Sequence, residues 1–207
     1  MVENVLYSEA WVKRRGVEYA QLRVASASPP TVRMDLSAEV KMSCTCSVEF
    51  PDGGAFDYVN DVLVLYVVLN GAKAKFGEYL ITASQEVNDG YSTEIQLSAF
   101  DITHRAYKSK TENRVFFTAG SLYTNAVEQM LVLSGLTNFV ITPSALTFAT
   151  DREDWDPGTT RLAIINQLLQ EMNYNTLCMN LDGVVIASPY QNPYFMTPTI
   201  IYTNNQV

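Results

Sequence analysis

Histidine is almost missing from this chain. Among 207 residues there is one, His104, beside three cysteines. Any Ser-His-Asp or Cys-His arrangement must therefore use His104, and no Gly-x-Ser-x-Gly elbow accompanies it. It sits next to Arg105 at the end of a strand-rich region, a poor setting for a catalytic base. Cys44 and Cys46 stand two apart in an expected strand, so they share a face and are badly placed to bridge each other. With Cys178 they form a sparse, odd set, expected as buried free thiols of a reducing compartment. Too few soft ligands remain for a zinc site.

Other absences narrow the function further. No Gly-x-Gly-x-x-Gly or Walker-type loop is present, so nothing supports nucleotide use. Positive charge is scarce: 14 Lys and Arg face 22 Asp and Glu, a net charge of −8. Nonspecific nucleic-acid binding needs a basic surface to release counterions, so none is expected. Lys13-Arg14-Arg15 is the one basic run and reads as a solvated strand end. The longest apolar run, residues 62–69, is eight long, far short of a membrane span. The N-terminus, MVENVLYSEAW, has no basic segment followed by an apolar core, so no signal peptide is expected.

The acids that are present invite two readings. Asp151, Glu153, Asp154 and Asp156 suggest calcium, but an EF-hand loop needs Gly at its sixth position and Glu at its twelfth. Counted from Asp151, those positions hold Asp156 and Leu162, and the pattern fails. Acids ahead of a helix are favourable through the helix dipole alone. Asp101 reads as a cap or Asx-turn residue in preference to a catalytic acid. A hydrolase remains open only through carboxylates that folding brings together, with Asp101 and Asp154 as the residues to test. The expectation is no enzyme, and no catalytic, cofactor-binding or metal residue.

What the chain does have is pattern. Hydrophobic residues make up 47% and charged residues 17%, ordinary for a globular core. Residues 18–25 alternate apolar and polar. Residues 38–50 put Val40, Met42, Cys44, Cys46, Val48 and Phe50 on one face. Pro51-Asp52-Gly53-Gly54 is a turn cluster. Residues 62–69 are apolar on both faces, as in a central buried strand. Asn70-Gly71 turns tightly into residues 72–76; Gly77-Glu78-Tyr79 leads into 80–85; Asn88-Asp89-Gly90 turns into 92–100. This spacing predicts a small antiparallel barrel or sandwich over residues 1–110.

Residues 111–190 mix periods. A strand is expected at 111–117. A helix follows, capped by Ser121, with Leu122, Ala126, Met130 and Leu133 as its stripe, Val127 and Leu131 beside them, and Gly135 at its end. A strand at 139–142 precedes a second helix. Thr159 or Thr160 caps it; Leu162, Ile165, Leu168, Leu169 and Met172 form its stripe, Ile164 broadens it, and Asn173 stops it. Residues 176–180 and 184–187 flank Asp182-Gly183, a hairpin with an expected type I′ turn. The β-α-β-α-β-β order predicts two helices on one face of a small sheet. Residues 191–207 read as an extended arm or the start of a further barrel, with the strand-forming stretch 199–202, as in a piece of a longer protein. The expected class is thus α+β: an N-terminal β-barrel or sandwich-like domain followed by a small α/β subdomain.

Several segments also fall in a recognisable order. They are Phe76-Gly77-Glu78-Tyr79-Leu80-Ile81, Ala99-Phe100-Asp101, Phe117-Thr118-Ala119-Gly120, Trp155-Asp156-Pro157-Gly158-Thr159, Ile164-Ile165-Asn166-Gln167-Leu168-Leu169, Leu181-Asp182-Gly183 and Ser188-Pro189-Tyr190. In order and spacing, from about Ala38 onward, the chain resembles the N-terminal region of bacteriophage and prophage tail hub proteins. The resemblance implies a homotrimer around the tail axis and a place in the virion tail after synthesis in the bacterial host cytoplasm. It also implies contacts with the distal tail protein and other tail-tip proteins, and no catalytic residues in this region. The alternative is a carbohydrate-binding module with exposed tyrosines and Trp155 as stacking platforms.

Overall fold

A computed structural model describes residues 6–25, 29–50, 56–58, 60–88 and 93–196. Strands β1 (Leu6–Arg14), β2 (Val17–Val24), β3 (Thr31–Met34), β4 (Met42–Glu49), β5 (Asp61–Leu69), β6 (Ala72–Asn88) and β7 (Thr93–Asp101) form one sheet in the order β2-β1-β5-β6-β7-β4-β3. Every pairing in it is antiparallel. A further pairing, Arg23↔Glu49 and Val24↔Val48, joins β2 to β4 and bends the sheet into a near-closed ring. Inward side chains such as Val12, Leu22, Val48, Leu63 and Tyr79 fill the ring, so it is a packed core.

The strands expected at residues 18–25, 62–69 and 92–100 are present as β2, β5 and β7. β5 lies between β1 and β6 and buries Leu63 and Leu65 inside, Val64 and Val68 outside. Asn70 and Gly71 both have positive φ, 50° and 84°, as a type I′ turn demands. Two expectations shift. β4 starts at Met42, not at residue 38, because the preceding residues turn. β6 is one strand, not two: it runs through Gly77, with Phe76 as the extra residue of a bulge. The turn clusters at residues 51–54 and 89–90, and the stretch 199–202, lie outside the described residues.

The second core follows. Its elements are α1 (His104–Lys108), β8 (Val115–Phe117), α2 (Tyr123–Leu133), β9 (Phe139–Ile141), β10 (Arg152–Trp155), α3 (Arg161–Glu171), β11 (Cys178–Met179) and β12 (Val185–Ala187). The single small sheet is a miss. β10 pairs with β8, while β12 pairs antiparallel with β11 and parallel with β9, giving two sheets. The acidic segment supplies the strand that the pattern lacked. Around α2 and α3 one cluster buries Ala126, Leu131, Phe148, Trp155, Leu162 and Leu168. No helix among the described residues is long and apolar enough to cross a membrane.

Helix ends repeat the lesson. Thr160 caps α3 as expected, its hydroxyl accepting from Ala163 N at 3.3 Å, and Asn173 stops it at φ 59°. Ser121 does not cap α2: its hydroxyl donates to the Thr118 carbonyl at 2.6 Å. The Leu146 carbonyl takes the Tyr123 N–H instead, at 3.1 Å. The buried face of α2 is therefore Tyr123, Ala126, Val127, Met130 and Leu131, and Leu133 is half exposed. The β11–β12 hairpin exists, but its turn is not type I′. Asn180 pairs with Val184 around three residues, only Gly183 has positive φ, and the Asn180 side chain accepts from Asp182 N and Val184 N.

Candidate assembly interface

Of the acids singled out in the sequence, Glu153 is exposed on β10, and the others are held by neighbouring groups. Asp101 is fully buried. Its Oδ1 accepts from the Thr103 N–H at 2.9 Å and from the Thr103 hydroxyl, an Asx-turn. Its Oδ2 accepts from Met42 N at 2.9 Å, which ties the end of β7 to the start of β4. Both oxygens are engaged within the fold and shielded from solvent. Asp151 accepts from Ala119 N at 2.7 Å, and Asp156 pairs with Arg114 at 2.7 Å. Arg152 binds Asp154 at 2.5 Å and both oxygens of Glu171 at 2.9 and 3.1 Å. That guanidinium, helped by the Tyr123 hydroxyl, holds the Glu171 carboxyl below the usual range. Among the described residues no group of three or more His, Cys, Asp or Glu comes together as a metal ion would need.

His104 is buried at the joint between the two cores. Its ring stacks on Phe100, centroids 4.8 Å apart, and tilts against Tyr107. Nδ1 is buried without a hydrogen-bond partner. An unpaired buried N–H costs more than an unpaired lone pair, so the neutral ring keeps its proton on Nε2. Burial first, and Lys108 second, push its pKa below the ordinary value. With Ala38, Glu39 and Val40 these rings line a shallow, mostly apolar hollow of about 300 Å³.

Trp155 is only 5% exposed. Its Nε1 donates to Gln167 at 2.9 Å, its ring meets Phe117 edge-on, and Arg152 covers it. It offers no stacking platform, which corrects that part of the carbohydrate reading. Cys44 and Cys46 are buried and free, and Cys178 is free and half-buried. The hydrogen bond to Cys46, then burial, push the Cys44 thiol up.

Charged residues that the pattern did not flag matter more. Arg15 is exposed, as a solvated strand end would be, but Lys13 and Arg14 are only partly exposed and are paired: Lys13 with Glu78 at 2.8 Å, and Arg14 with Asp61 through two bonds of 2.6 and 2.7 Å. Both acids are buried.

Several large apolar residues remain open to solvent. Leu6 and Leu69 are cross-strand partners, 67% and 49% exposed, and Phe76 is also exposed. Phe116, Val132, Leu133 and Val140 are exposed on the second core. Tyr194 and Phe195, on a 3-10 turn at Pro193–Phe195, stand 87% and 81% exposed.

No protein-family model matches the chain, and no curated protein does. Solved structures do match. A tail protein from Neisseria meningitidis superimposes on 87% of this chain and 50% of its own, with TM-score 0.59 and 13% identity. A 43 kDa prophage tail protein from Shewanella oneidensis matches 87% of this chain and 53% of its own, with TM-score 0.58 and 14% identity. The chain has the fold of these tail proteins. A component of the type VI secretion system from E. coli, itself structurally similar to the bacteriophage T4 tail proteins gp27 and gp5, aligns with 90% of the chain. There the cover is 46% of that protein, with TM-score 0.50 and 12% identity. This tail-protein fold spans about half the length of the structures it matches.

Proposed function

We propose that this chain is a structural component of a phage or prophage tail tip or baseplate hub. It joins the distal tail to the receptor-binding or spike parts and carries out no reaction. One observation carries this: the near-closed ring and the helical core behind it align together with tail proteins over 87% of the chain. The side chains agree. Asp101, Asp151, Asp154 and Asp156 are all engaged in holding the fold, while large apolar residues stay exposed. Exposed apolar patches on a folded chain are surfaces awaiting a neighbour.

In this reading residues 1–110 and 111–190 are two domains, and the chain from 191 leads onward. The assembled form is a homotrimer around the tail axis, in the virion tail. Size-exclusion chromatography with light scattering tests it, on the chain alone and mixed with its distal tail protein. A trimer, or a stable complex with that protein, supports the reading. A strict monomer that ignores the partner overturns it.

A further inference from the structure

Glu78 lies on the outer wall of the ring yet is only 5% exposed. Its Oε1 accepts from Lys13 on β1 at 2.8 Å and from Lys75 on β6. Two cations on one oxygen offset the cost of burying the carboxylate. What covers the group comes from the other core. The tip of the β11–β12 hairpin packs on it so closely that a Cβ on Gly183 would lie 2.7 Å from Glu78 Oε2. Gly183 also has φ 78°, which favours glycine, and a methyl there would displace the Glu78 carboxylate. Lys75 Nζ reaches across as well, to the Asp182 carbonyl at 3.4 Å. Val64, the β5 partner of Glu78, is buried beside it on the outer face.

We infer that Lys13, Glu78 and Lys75 form an ionic latch that clasps the hairpin tip and fixes the angle between the ring and the helical core. The latch is charged, so it holds orientation through ion pairs and hydrogen bonds. Lys75 is its coupling residue: it bonds both the carboxylate and the hairpin backbone. Gly183 is its keyhole. The latch stands on these contacts and not on the tail-hub reading.

Distance measurement by pulsed electron resonance tests it. Spin labels go on Gln96→Cys in the ring and Glu128→Cys on α2, both exposed, with the half-buried thiol removed by Cys178→Ser. The parent should give one narrow distance. Lys75→Met keeps the Lys13–Glu78 pair, and Gly183→Ala drives a methyl into Glu78. Each should broaden or shift the distance while leaving the far-ultraviolet circular dichroism unchanged. If both variants keep the parent distribution, the latch does not set the angle and the inference falls. A failure of the chain to trimerise would leave this result untouched.

Discussion

Met42 and Asp101 are 59 residues apart in sequence, and the amide of one donates to the carboxylate of the other at 2.9 Å inside the protein. The same carboxylate closes the turn into α1 through Thr103. One buried acid thus fixes where β4 begins, where β7 ends and how the chain enters the second core. Asp101→Ala strands the Met42 and Thr103 N–H groups, and losing hydrogen bonds to a buried charge should cost about 3 kcal/mol. Urea unfolding reads this directly. A midpoint equal to that of the parent would remove Asp101 from the scaffold.

Acid should loosen the joint at His104. The folded imidazole binds its proton less readily than the unfolded one, because burial disfavours the charged ring. Protonation would also put an N–H on Nδ1, where no acceptor waits. Its contribution is complete above the unfolded value of about 6.5 and is lost as pH falls from there through the lower folded value. Melting temperature should drop between pH 7 and 5.5 in the parent and drop less in His104→Phe, which keeps the stack on Phe100. Parallel curves for the two proteins would contradict this.

Trp155 packs; it does not present a face. Trp155→Ala should cost about 3–5 kcal/mol through the cavity it leaves among Phe117, Phe148 and α3. A thermal melt of the variant would show it as an early transition. A melt superimposable on the parent's would mean the ring carries no packing energy.

The two helices offer a paired comparison. Leu168 is fully buried and Leu133 is 52% exposed, though both sit on apolar stripes in the sequence. Leu168→Ala should cost about 2–5 kcal/mol, and Leu133→Ala should stay within about 0.5 kcal/mol. Equal losses in chemical denaturation would refute the assigned orientation of α2. Loss of affinity in Leu133→Ala for a tail partner would instead mark Leu133 as a contact residue.

Much of this was legible beforehand where the signal is local. The α3 stripe, its Thr160 cap, the Asn173 stop and the Asn70-Gly71 turn each depend on a few neighbouring residues, and each is in place. The Asx-turn at Asp101 was legible for the same reason. The failures share a different cause. Ser121 lost its capping role to the Leu146 carbonyl, and Lys13 and Arg14 were drawn onto the buried acids Glu78 and Asp61. The expected I′ turn at Asp182-Gly183 gave way to a loop organised by the Asn180 side chain.

Periodicity and turn chemistry come from bond geometry and steric limits within a few residues, so the α3 stripe, its ends and the Asn70-Gly71 turn were settled by the chain's own letters. Ring closure was not, because Arg23↔Glu49 and Val24↔Val48 gain their value only once four other strands have curved between them. Nor was the fate of each charge: a lysine is indifferent to a glutamate 65 residues away until folding sets them 2.8 Å apart and takes away the water.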